Sequence, residues 1–375
     1  MPRFRLLGLW LVLMLPLVHA EPFTVLLGTY TRDGSEGIYA TTLDPTTGAM
    51  TKARLVKAMP DPEFLALHPQ HRIVYALTRD ADGRGGVVAL TMDPASGALT
   101  ELNRRTVTSG TFCHLAVDPA GRRLIAVSYG GGYTTQWTLT EDGRLGPGGD
   151  LIKHHGPLGP NPDRQEAPHA HSVTISRDAR FAFVADLGLD RVLAYDLTRD
   201  AATLHAQPSH DAIIAAGAGP RHSTFSPDGN TLYVLNELDG SITVLAYDAT
   251  DAALQPRQHL SILPADYHGR ISSSEIRAHP NGRFIYAAHR GDNTIAIFAR
   301  DEKTGTLTRT GAVPTGGQNP RNFVLSPDGR WLLCANQDSH NLTAFRVNDQ
   351  TGDLTATGQE ITVARSVCVL FVPHD

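Results

Sequence analysis

The sequence predicts an all-β chain: a seven-bladed β-propeller with four antiparallel strands per blade, its ring closed by strands from the N- and C-terminal ends. Three observations predict it. A strand–turn–strand unit recurs six times, the composition suits short strands and many turns, and the two ends each carry part of a seventh unit. Gly (35) and Pro (24) are plentiful in the 375 residues while aromatics make up only 7%, which favours many turns over long helices. A hydrophobic content of 41% is enough to bury a large core.

Taken in chain order, the first element is a separate object. "MPRFRLLGLWLVLMLPLVHA" has a basic start (Arg3, Arg5), an apolar run Leu6–Val18 and a small-residue step Val18-His19-Ala20. The run is too short to span a bilayer and reads as a cleaved export signal over residues 1–20. No polar second face marks it as a buried amphipathic helix. No cysteine stands at the cleavage step, so no membrane anchor is expected after cleavage. Residues 21–375 are expected to form the propeller, periplasmic or secreted, with a monomer the favoured state. "FTVLLGTYTRDG" and "GIYATTLDP" come next and read as the second and third strands of a blade that lacks its first.

The repeats follow: "FLALHPQHRIVYALTR", "HLAVDPAGRRLIAVSY", "SVTISRDARFAFVADL", "HSTFSPDGNTLYVLNE", "EIRAHPNGRFIYAAHR" and "NFVLSPDGRWLLCANQ". Each is an apolar strand, a Pro/Asp/Gly-type turn and a second apolar strand. The turn positions Pro69, Pro119, Arg177, Pro227, Pro280 and Pro327 are separated by 50, 58, 50, 53 and 47 residues. Between them lie a third strand and often a turn such as "MDPASGALT" into a fourth. Such a unit cannot bury both sheet faces until neighbours stack on it, as in a propeller. The last strand, "SVCVLFVP" at 366–373, supplies the first strand missing from the opening unit, so the ring leaves no open sheet edge. Cys113, Cys334 and Cys368 all sit in apolar runs and read as free thiols rather than a disulfide framework.

The polar residues fall at one rim. A tight turn joins the first and second strands, so the start of one and the end of the other lie side by side. Six residues before each turn position stand Glu63, Cys113, His171, Arg221, Ser274 and Arg321; ten after stand Arg79, Tyr129, Leu187, Glu237, Arg290 and Gln337. Neighbouring positions add His114, His222, Glu275, Asn322, Asp186, Asn236, His289 and Asn336. Arg79 and Asn336 read as solvated or structural strand ends. Convergent charged groups at one concave mouth form the default site, with His171, Arg221, Glu237 and Arg290 at its centre. The long connection "KHHGPLGPNPDRQEAPHAH", 153–171, covers the same rim. His169 and His171 share a strand face, and with Glu237 or Asp186 they make the one metal arrangement to weigh; no third ligand at tight spacing accompanies them. A net charge of −5 and the lack of any Lys/Arg block argue against a nucleic-acid partner.

The stretches "RQEAPHAHSV", "DLGLDRVLAYD", "GPRHSTFSPDGNTLYVLNEL", "SEIRAHPNGRFIYAAHRGDNTIAIF" and "NPRNFVLSPDGRWLLCANQDSHNLTAF" resemble the seven-bladed lactonase family, which includes propeller-type 6-phosphogluconolactonases and carboxy-muconate cyclases. The resemblance covers the whole mature chain. It implies a metal-independent site without cofactor, in which a His, two Arg and a Glu act on a small-molecule lactone. Those residues map to His171, Arg221, Glu237 and Arg290. His169, His222, Glu275, His289, Arg321, Asn322, Gln337 and Tyr129 are the expected substrate-binding neighbours. His289 stands where the family usually has Asn, and "ALTRD" where an Asn-Glu pair is common.

Lactone opening needs an activated water, a stabilised oxyanion and a proton for the departing alkoxide. Glu237 can act as general base or orient His171 for that role, and His171 can alternatively protonate the leaving oxygen. Arg221 and Arg290 offer paired donors to an oxyanion, a carboxylate or a phosphate. A phosphorylated sugar lactone is what the relatives suggest; a non-phosphorylated aldonolactone suits an exported protein better. The alternatives are a muconate-type cycloisomerase and a non-catalytic propeller that binds a glycan or protein. No Gly-x-Ser-x-Gly elbow supports a serine nucleophile.

Overall fold

The computed structural model describes residues 21–373 apart from Ala95 and Ser109; the expected export signal at 1–20 lies outside the described residues. Seven antiparallel sheets are arranged as blades, each with its first strand innermost. Blade 1 joins both ends of the chain. Ser366–Val372 is its inner strand, paired with Phe23–Thr29 from Thr24↔Val372 onward, and Gly37–Leu43 and Arg54–Ala58 complete it outward. Blades 2 to 7 begin with the inner strands Leu65–Leu67, His114–Val117, Ala170–Ile175, Pro220–Phe225, Ser273–Ala278 and Pro320–Leu325. Each of these contacts the inner strands on either side, and Ser366–Val372 closes the circle onto Leu65–Leu67. The one helical element among the described residues is the short 3-10 turn Pro208–His210.

Burial follows from this stacking. The second strands Thr231–Asn236 and Trp331–Asn336 are buried at every residue, because both faces of the sheet are covered by neighbouring blades. These strands therefore read as continuous apolar runs and not as alternating ones. The outermost strand of blade 6, Leu307–Pro314, alternates half-buried and exposed residues after a buried Leu307, as an edge against solvent should. The core is a set of clusters wedged between blades. Between blades 4 and 5, for example, the Tyr247 ring packs edge-on against Phe183 and Phe225, with centroids 5.6 and 5.3 Å apart.

A hydrogen-bonded clasp recurs between blades. The hydroxyl of Tyr75 donates to the Gly143 carbonyl of the next blade at 2.7 Å, and Tyr233 and Tyr286 do the same to Gly305 and Gly352 at 2.8 Å. Across the closure, Trp331 Nε1 donates to Pro45 O at 3.0 Å, tying blade 7 to blade 1. On the rim away from the polar mouth, the Ser-Pro-Asp-Gly turns are locked locally. In both, the serine hydroxyl donates to the aspartate at 2.5 Å, and Gly229 and Gly329 take φ of +76° and +72°. Those values favour glycine because a Cβ would crowd the backbone.

Candidate active site

The polar mouth is built by a repeated irregularity. In blades 4, 5 and 7 the pairing of the first two strands shifts register between Ala170 and Ser172, Pro220 and His222, and Pro320 and Asn322. The residue left unpaired in each case is His171, Arg221 or Arg321. A bulge inserts one residue, twists the strand and re-aims that side chain. The partner position, one residue past the second strand, is pinned by its own amide. Glu237 donates its N–H to Gly219 O at 2.7 Å, and Arg290 donates to Ser272 O at 2.8 Å. Bulge and pinned residue together deliver long side chains to one opening.

Glu237 is the centre of that opening. Its Oε1 accepts from Arg164 at 2.8 Å and pairs with Arg290 at 3.1 Å; its Oε2 accepts from Arg221 Nε at 3.0 Å and lies 3.7 Å from His171 Nε2. Burial on its own would raise the Glu237 pKa, but Arg290, Arg221, His171 and Arg164 outweigh it and hold the carboxylate well below its ordinary range. For His171 burial acts the other way. Desolvation, then Arg221 and His222, push its pKa well below 6.5 against the pull of Glu237, so the ring is neutral at pH 7. Burial and Arg290 together lower Arg221 to about 9, still a cation at neutral pH. Arg221 also donates to Ser274 O and is 2% exposed, so it grips Glu237 from beneath the floor.

Above this floor is a cavity of about 420 Å³, lined by Arg164, His171, Glu237, Arg290 and Arg321 together with Tyr30, Glu63, Arg79, Cys113 and Tyr129. Four arginines against two glutamates leave the lining with an excess of positive charge, a setting that stabilises developing negative charge. Arg79 is an ion-pair partner here and not a free strand end: it lies 3.1 Å from Asp61 and 3.4 Å from Glu63. Cys113 borders the cavity half-buried, while Cys334 and Cys368 are buried; all three thiols are free.

Of the expected substrate-binding residues, Tyr129 and Arg321 line the cavity and the others do not. His169 lies behind Tyr129, stacked on its ring at 4.3 Å, with its ring nitrogens on Tyr129 O and Glu166. His222 and Glu275 pair at 3.2 Å deeper in the channel, where Asn322 also donates to Glu275. His289 accepts from Ser272 N and pairs with Asp292, and Gln337 donates to Asp338. In each case the adjacent bulge or strand end turns the neighbouring side chain away from the mouth. Asp186 is taken by His154 at 2.6 Å and by the amides of His169 and Leu189. Asn336 is buried on Thr315 and Thr343. Among the described residues no group of three or more His, Cys, Asp and Glu is arranged to hold a metal ion.

Among the lining residues not expected at the site from sequence are Arg164, Tyr30 and Glu63. Glu63 occupies the strand-start position that His171, Arg221 and Arg321 occupy in other blades, which was its signal. Tyr30 directly follows Phe23–Thr29, the second strand of blade 1, and is the counterpart of Glu237 there. Arg164 comes from the long connection and carries no repeat-based signal at all.

The family described as Lactonase, 7-bladed beta-propeller matches residues 24–371. A 6-phosphogluconolactonase of Bacillus subtilis (strain 168) is 34% identical over 298 residues, 80% of this chain and 83% of the relative. Among solved structures, a candidate 6-phosphogluconolactonase from Bacteroides uniformis superposes with a TM-score of 0.87 at 33% identity, covering 94% of this chain and all of that one. The periplasmic gluconolactonase of Pseudomonas aeruginosa gives a TM-score of 0.88 at 29% identity, covering 94% of this chain and 99% of its own.

Proposed function

Because this chain belongs to the seven-bladed β-propeller lactonase family, we propose that it is an exported lactone hydrolase acting on a sugar lactone at the polar mouth. The non-phosphorylated aldonolactone is the preferred substrate. Two things support that choice: the export signal expected at residues 1–20, and the periplasmic gluconolactonase among the similar structures. The observation that carries the reading is the pairing of a neutral His171 with a Glu237 that three guanidinium groups keep ionised.

His171 takes a proton from the attacking water, whose oxygen adds to the lactone carbonyl carbon. A carboxylate shared among three arginines is a weak base, so Glu237 serves instead as a fixed anion that stabilises the imidazolium as it forms. Arg290 and Arg321 face the cavity with N–H donors and stabilise the tetrahedral oxyanion. Arg221 acts through Glu237 and is a positioning residue.

The test uses purified protein lacking residues 1–20, assayed against gluconolactone, its 6-phosphate and a muconolactone, with and without chelator. The expected result is turnover of gluconolactone that survives chelation. His171→Ala and Glu237→Gln should each lower kcat by at least about a hundredfold in folded protein. Preference for the 6-phosphate would reverse the substrate choice, and turnover of the muconolactone alone would favour cycloisomerisation. No turnover of any lactone above the spontaneous rate would leave a binding propeller.

A further inference from the structure

The hydrolytic reading assigns no proton donor to the departing ring oxygen, and the structure holds a carboxyl group in the cavity to which no part in the chemistry has been given. Glu63 lines the same cavity as Glu237 but is only 9% exposed, and it comes from blade 2. In a ring of seven, blades 2 and 5 are three steps apart one way and four the other, so Glu63 and Glu237 face each other across the mouth. Tyr30 of blade 1 hydrogen-bonds Glu63 through its hydroxyl, and Arg321 stands over the Tyr30 ring at 5.5 Å.

We propose that Glu63, held by Tyr30, is the proton donor to the leaving oxygen, acting from the side of the cavity opposite the His171–Glu237 pair. This rests on the hydrolase reading. Water gives one proton to His171 as its oxygen bonds to the carbonyl carbon. When the tetrahedral intermediate collapses, the bond from that carbon to the ring oxygen breaks, and the oxygen takes the Glu63 proton to become a hydroxyl. The product is a hydroxy-carboxylic acid, which loses the remaining proton of the added water to solvent and leaves as a hydroxy-carboxylate; the proton on His171 passes to solvent and Glu63 is reprotonated from solvent.

The charged and titratable groups around Glu63 are Tyr30, Asp61, Arg79, Cys113 and Arg321. Burial raises the Glu63 pKa and Asp61 adds to it, against the opposing pull of Arg321, Arg79 and the Tyr30 hydrogen bond. Glu237 is displaced in the opposite sense. Two carboxyl groups in one cavity, driven apart by their surroundings, form the pattern expected of one acid and one permanent anion. A donor must carry its proton, so turnover should fall as pH rises through the raised Glu63 value.

The experiment compares gluconolactone with its analogue carrying sulfur in place of the ring oxygen, which departs as a thiolate and needs no proton. Glu63→Gln should lose about a hundredfold or more in kcat on the oxygen lactone but less than about fivefold on the thiolactone, and should lose the falling high-pH limb. Equal losses on both substrates, or no loss on the lactone, would overturn the assignment. If Glu63→Gln fails to fold, the wild-type protein still decides. Its high-pH limb should be present with oxygen and absent with sulfur; the same limb on both would sink the idea. Absence of wild-type turnover on gluconolactone, its 6-phosphate and the muconolactone alike refutes the hydrolase reading itself and takes this assignment with it, whereas normal wild-type turnover with an unselective Glu63→Gln refutes Glu63 alone.

Discussion

Three guanidinium groups and an imidazole converge on Glu237, and the sign of each pKa displacement has consequences that can be measured. Glu237 is depressed in the folded protein, so the stability it contributes is fully present above its unfolded value of about 4.3 and is lost as pH falls below that. Replacing it with Gln strands three cations, two of them buried, at a cost of about 3–5 kcal/mol at pH 7, and it should also flatten the acid limb of a plot of Tm against pH. An acid limb as steep as wild type would show that Glu237 is not depressed. His171 is likewise depressed, and it must be neutral to accept a proton. Activity should therefore persist below pH 6.5 and fall only as pH drops through the lowered folded value. A kcat/KM profile already halved near pH 6.5 would contradict the neutral, buried imidazole.

At the scale of an element, residues 154–169 of the long connection show how a segment without regular structure is held over the mouth. His154 Nδ1 pairs with Asp186 at 2.6 Å, and its Nε2 sits 2.8 Å from Thr134 Oγ1 and 3.0 Å from the Tyr195 hydroxyl. Gln165 adds a bond to Leu187 O at 2.8 Å. These buried anchors position Arg164, which reaches both Glu237 and Tyr129. Asp186→Ala should therefore leave the blades folded but speed hydrogen exchange of amides in 155–169, and should weaken kcat/KM about as much as Arg164→Ala does. Unchanged exchange in that segment would mean that other contacts hold the connection.

For the whole molecule, closure matters more than any one blade. The strand Ser366–Val372 pairs with Phe23–Thr29 and packs against the inner strands on both sides. Deleting 366–375 would expose the inner edge of blade 1 and the faces of both neighbours, and the expected outcome is loss of cooperative unfolding and aggregation. A ring has no preferred starting point, however. A permutant that opens at the exposed turn 302–304 and joins 373 to 21 through a short Gly-rich linker should fold and keep its activity. A permutant that failed to fold while the linear chain folded would show that the order of blade formation, and not the closed ring alone, is essential.

The propeller and the rim bearing the candidate site are legible in the chain, because each blade is a local unit of about 50 residues whose turns and apolar runs repeat in register. The sequence also marked the positions of His171, Arg221, Glu237, Arg290 and Arg321, since strand ends fall at fixed offsets from the turns. The tertiary structure alone decided which members of each adjacent pair face the cavity. Bulges at 171, 221 and 321 override simple strand alternation, sending His222 and Asn322 toward Glu275 deep in the channel, while His169 turns behind Tyr129. It alone brought Arg164 to Glu237, since the path of an irregular connection is set by distant partners such as Asp186, which no local pattern encodes. Glu63 and Tyr30 stand at the same repeat offsets as the other mouth residues, but their meeting rests on the packing of blade 1 against blade 2, which those offsets do not specify.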